Sequence, residues 1–370
     1  MNGPTGHTHV AGAPAAAPLS TSAKFTEAEE RAMTRALELA QSPDVPLGPN
    51  PRVGCVLIDA SGHTLGEGFH RGAGTPHAEA DALSGAGDRT RGATAVVTLE
   101  PCNHTGRTPP CAQALVDAGI ARVVFAQADP NHVAAGGAVA MKGAGVDVAG
   151  GLLADKARAV NEVWTFAVEH QRPFVTWKFA TTLDGRSAAV DGTSRWVSSR
   201  PARLDTHRLR ALCDAILVGT ETILVDNPQL TVRDGDDVPF PQERQPLRVV
   251  MGLRDLPADR NVLDDAAGTV VLKTRDPSEA LAELYARDRQ HVFLEGGPTL
   301  AAAFLGAGLV DEVVTYVAPM LLGAGRSSVG DLGIATIADA LHFDVSDVAV
   351  LGEGAETNVR LTMRVRKAGG

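Results

Sequence analysis

At ~150 residues per domain, a chain of 370 residues has room for two cores and is not a single small module. With 34 Lys and Arg against 44 Asp and Glu, its net charge of −10 argues against a protein that holds nucleic acid by the phosphates. Four cysteines exclude a disulfide scaffold, and no apolar run reaches the ~18 residues of a membrane span.

Residues 1–24 lack the basic start and large apolar block of a signal peptide, and Pro14 and Pro18 interrupt them. They read as a disordered, uncleaved tail, so the reducing cytoplasm is the expected location. An amphipathic helix is predicted over Thr26–Ala40, where Ala28, Met33, Ala36, Leu37 and Ala40 recur at near-helical spacing. Short apolar strands then alternate with helical stretches: Val53–Ile58, Ala95–Leu99, Arg122–Phe125 and Val146–Val148, against Pro76–Ser84, Pro109–Ala118 and Val133–Gly143. After a last helix over Ala154–Glu169, the run Gln171-Arg172-Pro173 marks a border near 171. This gives units over 25–171 and 172–370. The second unit repeats the alternation, with strands at Phe174–Phe179, Ala215–Val218, Leu247–Val250, Thr269–Leu272, His291–Leu294 and Glu312–Val317, and helices at Arg200–Leu212, Pro277–Ala286 and Pro298–Gly306. Both units read as α/β.

Two pieces carry the clearest chemistry: Pro76-His77-Ala78-Glu79, and the stretch from Pro101-Cys102 to Pro110-Cys111. His77, Cys102 and Cys111 are the soft and borderline donors that a catalytic zinc takes when its fourth position is left to water. Glu79 is the non-ligand, spaced to take a proton from the attacking water and return it to a leaving amine. Thr75-Pro76 and Thr108-Pro109 are N-cap and first-turn signatures, which puts His77, Glu79 and Cys111 in the first turns of two helices. At 3.6 residues per turn, 77 and 79 would diverge in a regular helix, so they straddle its irregular entrance. A closed structural site completed by His104 is the alternative; otherwise His104 serves loop structure or substrate. Cys55 and Cys213 read as buried small apolar residues, and His207 and His291 as surface or satisfied histidines.

The second unit has no Gly-x-Gly-x-x-Gly after a strand, so a Rossmann site is not supported. Two other glycine-bearing strand-to-helix turns, Leu294-Glu295-Gly296-Gly297-Pro298-Thr299-Leu300 and Val218-Gly219-Thr220-Glu221-Thr222, suit a phosphate or pyrophosphate. Taken alone, each is better explained by ordinary packing.

The His-x-Glu and Pro-Cys pairing is the signature of zinc nucleobase deaminases, although eight residues rather than two separate the cysteines. That spacer, Asn103 to Pro110, together with Pro49-Asn50-Pro51-Arg52-Val53-Gly54, resembles the deaminase domain of the bifunctional deaminase-reductases of riboflavin biosynthesis. Lys178 to Arg186, Asp226 to Arg233 and Glu295-Gly296-Gly297-Pro298-Thr299 resemble the reductase motifs of the same family. The resemblance implies a cytidine-deaminase-like three-layer α-β-α domain followed by a dihydrofolate-reductase-like α/β domain, with Zn2+ and NADPH as cofactors. It also implies a diaminopyrimidinone ribosylamino phosphate as substrate, deaminated to the uracil and then reduced from ribosyl to ribityl. By resemblance, Asn50, His70, Asp129 and Asn131 surround the first substrate. In the reductase, Ala180, Trp196, Thr222, Asp226, Gly297, Pro298, Thr299, Leu300, Ala301, Ala302 and Ala303 would touch NADPH, and Ser194, Arg210, Leu230, Arg233 and Glu295 would hold the substrate. Two arginines suit a sugar phosphate, and Glu295 suits ribose hydroxyls or a proton transfer. The apolar Met251-Gly252-Leu253 departs from the family, which commonly offers a polar cofactor contact there.

The expected partners are a small phosphorylated pyrimidine and further copies of the chain in a homo-oligomer, with no nucleic acid and no membrane. The competing readings are a deaminase of RNA or free nucleosides whose second half serves assembly, and a noncatalytic zinc module.

Overall fold

The structure, a computed structural model, describes residues 25–42, 48–104 and 109–366; the tail expected over 1–24 lies outside them. The first unit runs α1 (Glu27–Ala40), β1 (Gly54–Ile58), β2 (Thr64–Phe69), α2 (Ala78–Ala86), β3 (Thr94–Leu99), α3 (Cys111–Asp117), β4 (Arg122–Gln127), α4 (Gly137–Gly143), β5 (Asp147–Gly150), α5 (Ala154–Val160) and α6 (Glu162–His170). A capping box opens α1: the Thr26 hydroxyl accepts from the Glu29 N–H at 3.2 Å, and the Glu29 carboxylate accepts from the Thr26 N–H at 2.8 Å.

The five strands order β2-β1-β3-β4-β5, with β1 antiparallel to both neighbours and β3, β4 and β5 parallel. Strand alternation divides the core. Cys55 and Leu57 face α2, α3 and α4, while Val56 and Ile58 face α1 and α5. The result is the three-layer α-β-α sandwich expected of a cytidine-deaminase-like domain.

The second unit runs β6 (Phe174–Thr182), β7 (Arg186–Ala188), α7 (Arg200–Arg210), β8 (Ala215–Gly219), α8 (Thr220–Asp226), β9 (Leu247–Met251), β10 (Thr269–Leu272), α9 (Pro277–Tyr285), β11 (His291–Leu294), α10 (Pro298–Gly306), β12 (Glu312–Ala318), β13 (Arg326–Ser327), β14 (Phe343–Leu351) and β15 (Asn358–Val365). Its main sheet orders β10-β9-β8-β11-β6-β12-β15-β14. The strands from β10 to β12 are parallel, and β15 and β14 add an antiparallel edge. Arg172 joins the units: its guanidinium lies 4.7 Å from the ring centroid of Phe166 in α6 and makes two hydrogen bonds to Asp311 at 2.7 and 2.8 Å, and Asp311 also accepts from the Val175 N–H at 2.9 Å.

Sequence periodicity misses β2, β7, β13, β14 and β15. In β2 the cause is Gly66 and Gly68, which weaken a strand signal but are required by packing. A Cβ on Gly68 would lie 2.3 Å from the Ala78 carbonyl oxygen and 2.4 Å from the Ala82 nitrogen, and one on Gly66 would lie 2.4 Å from the Ala82 oxygen. Helix α2, with Ala78, Ala82 and Ala86 on its inner face, therefore lies backbone to backbone on β2. Replacing Gly68 with Ala is expected to destabilise the first unit by about 1–3 kcal/mol through overpacking and to lower deaminase activity while sparing the reductase, as read by thermal denaturation and separate assays.

Candidate active sites

The first cluster forms where two helices begin and one strand ends. His77 is the N-cap of α2, in extended conformation (φ −68°, ψ 161°), so its ring leaves the helix end while Glu79 lies inside the first turn. Thr75 is not the cap; its hydroxyl donates to the Gly72 carbonyl at 2.7 Å. Cys111 opens α3 behind Pro110, and Thr108, the expected cap, lies outside the described residues. Cys102 follows β3 and accepts from the Cys111 N–H at 3.4 Å, so the free amide of a helix start faces its sulfur. His77 Nδ1 is 3.2 Å from Cys111 Sγ and 3.7 Å from Cys102 Sγ.

All three donor atoms lie within 4.8 Å of one another, and among the described residues no other group of metal-ligating type joins them. His104 is outside the cluster, so the closed four-ligand alternative does not form. Hydrogen bonds from Cys111 and His77 hold the Cys102 thiol well below its ordinary range, while its bond to Cys102 and its burial push Cys111 up. A soft, partly ionised three-donor set of this kind fits zinc. Glu79 is buried beside it, and burial pushes its carboxyl up.

Asn50 and His70 stand on the His77 side. Asn50 Nδ2 and His70 Nε2 are 2.9 Å apart, and His70 Nδ1 is 3.1 Å from the Pro76 carbonyl. The network assigns a neutral imidazole that donates to Pro76 and accepts from Asn50, in keeping with the depression of its pKa by burial. Asp129 and Asn131 lie in the loop after β4. Asp129 accepts from the Asn131 N–H at 2.8 Å, and burial pushes its carboxyl up to about 6. Sequence reasoning missed Glu100, which ties this loop down by accepting from the N–H groups of Asp129 at 3.4 Å and Ala138 at 3.0 Å; an acid between the end of β3 and Pro101-Cys102 is its only signal.

The second site is a broad cleft at the C-terminal ends of β6, β8, β9 and β11. Ala180, Ser194, Trp196, Arg210, Thr222, Asp226, Leu230, Arg233, Glu295, Gly297, Pro298, Thr299, Leu300 and Ala303 all line it. Ala301 and Ala302 do not: helical periodicity turns Ala301 into the core, and Ala302 faces Gly330. Gly297 is the N-cap of α10, followed by Pro298, and a Cβ there would meet nothing within 4 Å. This open glycine turn at a helix start fits a dinucleotide pyrophosphate. Trp196 is 62% exposed, with the Arg203 guanidinium 4.3 Å from its ring centroid. Met251, Gly252 and Leu253 also line the cleft, joined by the polar Arg254, Thr274 and Arg275.

The guanidinium of Arg210 pairs with both carboxylate oxygens of Glu295 through Nε and through Nη2 at 3.0 Å, and its Nη1 donates to the Thr231 carbonyl at 2.9 Å. Arg210 is thus engaged with Glu295 and Thr231 within the cleft lining. Burial pushes the Glu295 carboxyl up, but Arg210 and Lys178 outweigh it and leave the group ionised. Lys178 and His207 are cleft residues that periodicity hides. The Lys178 ammonium lies 5.5 Å from the Tyr316 ring centroid and is pulled down by burial, and the His207 ring is pulled down to about 4 by burial and Arg210.

A three-donor zinc cluster backed by a buried glutamate, and a separate cleft headed by a glycine turn, define a two-site enzyme: a zinc deaminase joined to a reductase. Residues 26–127 match the cytidine and deoxycytidylate deaminase zinc-binding region, and residues 173–356 match the RibD C-terminal domain. The chain is 49% identical over 306 residues to riboflavin biosynthesis protein RibD of Mycobacterium tuberculosis, covering 82% of this chain and 89% of that protein. It is 39% identical over 357 residues to the Escherichia coli protein of that name, covering 88% and 97%. Among solved structures, Acinetobacter baumannii RibD superposes with a TM-score of 0.83 at 36% identity, covering 92% of this chain and 99% of that one. A Thermotoga maritima diaminohydroxyphosphoribosylaminopyrimidine deaminase/5-amino-6-(5-phosphoribosylamino)uracil reductase superposes with a TM-score of 0.78 at 32% identity, with the same coverage. The chain belongs to the RibD family: it is a bifunctional enzyme of riboflavin biosynthesis with a zinc-binding deaminase domain and an NADPH-using reductase domain.

The cluster geometry makes a chemical prediction. In metal-free protein, iodoacetamide is expected to modify Cys102, and added zinc to protect it. Cys55 and Cys213, buried with their thiols pushed up by desolvation, stay unmodified in both states, as peptide mass analysis would read.

Proposed function

We propose that the first site deaminates diaminohydroxyphosphoribosylaminopyrimidine and the second reduces 5-amino-6-(5-phosphoribosylamino)uracil, the two activities for which the Thermotoga maritima relative is named. The observation that carries this reading is the buried Glu79 beside a three-donor His77–Cys102–Cys111 cluster, on the same chain as the cleft around Glu295. When bound, zinc supplies a Lewis acid that activates water, and NADPH supplies a hydride for C1 of the sugar. Glu79 takes the proton from the attacking water and delivers it to the departing amine. Its burial favours the protonated form, which suits the delivery step. Asn50, His70, Asp129 and Asn131 surround the pyrimidine and its ribose phosphate.

In the cleft, ionised Glu295 accepts hydrogen bonds from the substrate's sugar hydroxyls, and Arg210 is the positioning residue that fixes both its oxygens. Ser194, Leu230 and Arg233 hold the rest of the substrate. Gly297 and its neighbours at the start of α10 take the dinucleotide phosphates, and Ala180, Trp196, Thr222 and Asp226 the remainder of NADPH. We assign the deaminase to 25–171 and the reductase to 172–370, and place the enzyme in the cytoplasm as a homo-oligomer. Among the described residues no helix is long and apolar enough to cross a membrane. The exposed Val345, Val348 and Val350 along the edge strand β14 offer an assembly surface.

The direct test is mass analysis of products from the zinc-loaded protein: a gain of about 1 Da without NADPH, then about 2 Da more with it. Glu79→Gln is expected to abolish ammonia release and leave reduction of the deaminated compound intact; loss of both activities would contradict separate sites. Arg210→Lys keeps the charge but cannot reproduce the two-pronged hold on Glu295. Reductase kcat/KM is expected to fall about 10- to 100-fold, equivalent to about 1.4–2.7 kcal/mol, with deamination unchanged.

A further inference from the structure

Gln290 belongs to the reductase sheet, yet its side chain is committed to the deaminase. It sits just ahead of β11 and is 9% exposed, and its Nε2 donates to the Pro49 carbonyl at 2.8 Å. The opposite amide orientation would set Oε1 against that carbonyl, acceptor to acceptor, so the contact fixes which end of the amide faces Pro49. The Gln290 N–H donates to Asp214 Oδ2 at 2.7 Å and the His291 N–H to Asp214 Oδ1 at 3.1 Å. Gly48 lies against the same pair, since a Cβ there would sit 3.5 Å from Gln290 Oε1 and 3.7 Å from Asp214 Oδ2. Residues 48 and 49 thus rest on a seat built from the beginnings of two reductase strands. The next residue is Asn50, whose amide meets His70, whose ring in turn meets the Pro76 carbonyl next to His77. Reductase chemistry gives Gln290 no work: Glu295 is at the other end of β11.

We propose that Gln290 is a positioning residue for deamination, supplied by the reductase unit. It fixes the Pro49 carbonyl and thereby holds the Asn50 side chain against His70 on the substrate side of the pocket. The inference rests on the reading of Asn50 as a substrate contact. A loosened Asn50 weakens ground-state and transition-state binding alike, so KM rises while kcat holds.

The test uses the full-length, zinc-loaded protein. Gln290→Met keeps the length and removes the donor, and is expected to raise the deamination KM about tenfold with kcat within about twofold. Gln290→Lys, which restores an N–H donor of similar reach, is expected to return KM toward the parent value. Reduction of the deaminated compound and the zinc-to-protein ratio are expected to stay at parent levels in both variants. A parent-like KM in Gln290→Met, alongside a raised KM in Asn50→Ala, overturns the seat while leaving the Asn50 reading intact. A parent-like KM in Asn50→Ala sinks that reading and the proposal with it. Loss of both activities, or of zinc, in Gln290→Met makes the residue one of general folding and also overturns the proposal.

Discussion

The deaminase centre depends on how closely α2 can approach β2. A metal site tolerates errors of only about 0.2 Å in ligand position, and its three donors here come from the start of α2, the loop after β3 and the start of α3. Without side chains at Gly66 and Gly68, α2 settles backbone to backbone on the sheet, and the cap residue His77 reaches both sulfurs. Two helix starts then converge on one spot, so unpaired amides and positive dipole ends face the group that must carry negative charge. Glu79 is carried down with the same helix and buried.

The reductase solves a different electrostatic problem. Substrate and cofactor are anionic while the chain carries a net charge of −10, so attraction must be local. Arg195, Arg200, Arg203, Arg233 and Arg275 line the cleft with Arg210. Their placement matters more than their number. Arg210 is withdrawn into the pair with Glu295, where it keeps a buried carboxylate ionised; Arg203 lies over Trp196. A largely buried pair of this kind is weak evidence of stability, but it fixes the Glu295 carboxylate in one orientation.

What could be read from the sequence follows from how local each feature is. His77, Glu79, Cys102 and Cys111 announce a zinc site because donor type, helix entry and carboxylate fall within two short pieces. The apolar strands of both sheets are legible for the same reason. The Arg210–Glu295 pair spans 85 positions, and no local pattern says that one arginine is spoken for. Lys178 and His207 sit in a strand and a helix whose periodicity describes only faces, not what those faces look onto. The glycines of β2 and the largely exposed strand β14 erase the periodicity that would reveal them. Ala301 and Ala302 continue the motif run in sequence, but helical geometry turns them away from the cleft. Gln290 looks like a polar loop residue until the fold brings Pro49 to it.

The topology also governs the passage from one reaction to the next. Contacts with the deaminase gather at the N-terminal ends of the parallel strands: Gln290 before β11 meets Pro49, and Arg172 before β6 meets Phe166. The reductase cleft opens at their C-terminal ends, as ligand sites on parallel sheets do. From Gln290 to Glu295 the chain advances five residues, about 16 Å at ~3.3 Å per residue, with both faces of β11 closed by Val292, Phe293 and Leu294, each fully buried. Within one chain, the packed sheet therefore lies between the Pro49 seat and the reductase cleft. What joins the two units inside a single chain is the sheet itself: a strand with Glu295 in the reductase cleft at one end and Gln290 bonded to the Pro49 carbonyl, next to Asn50, at the other.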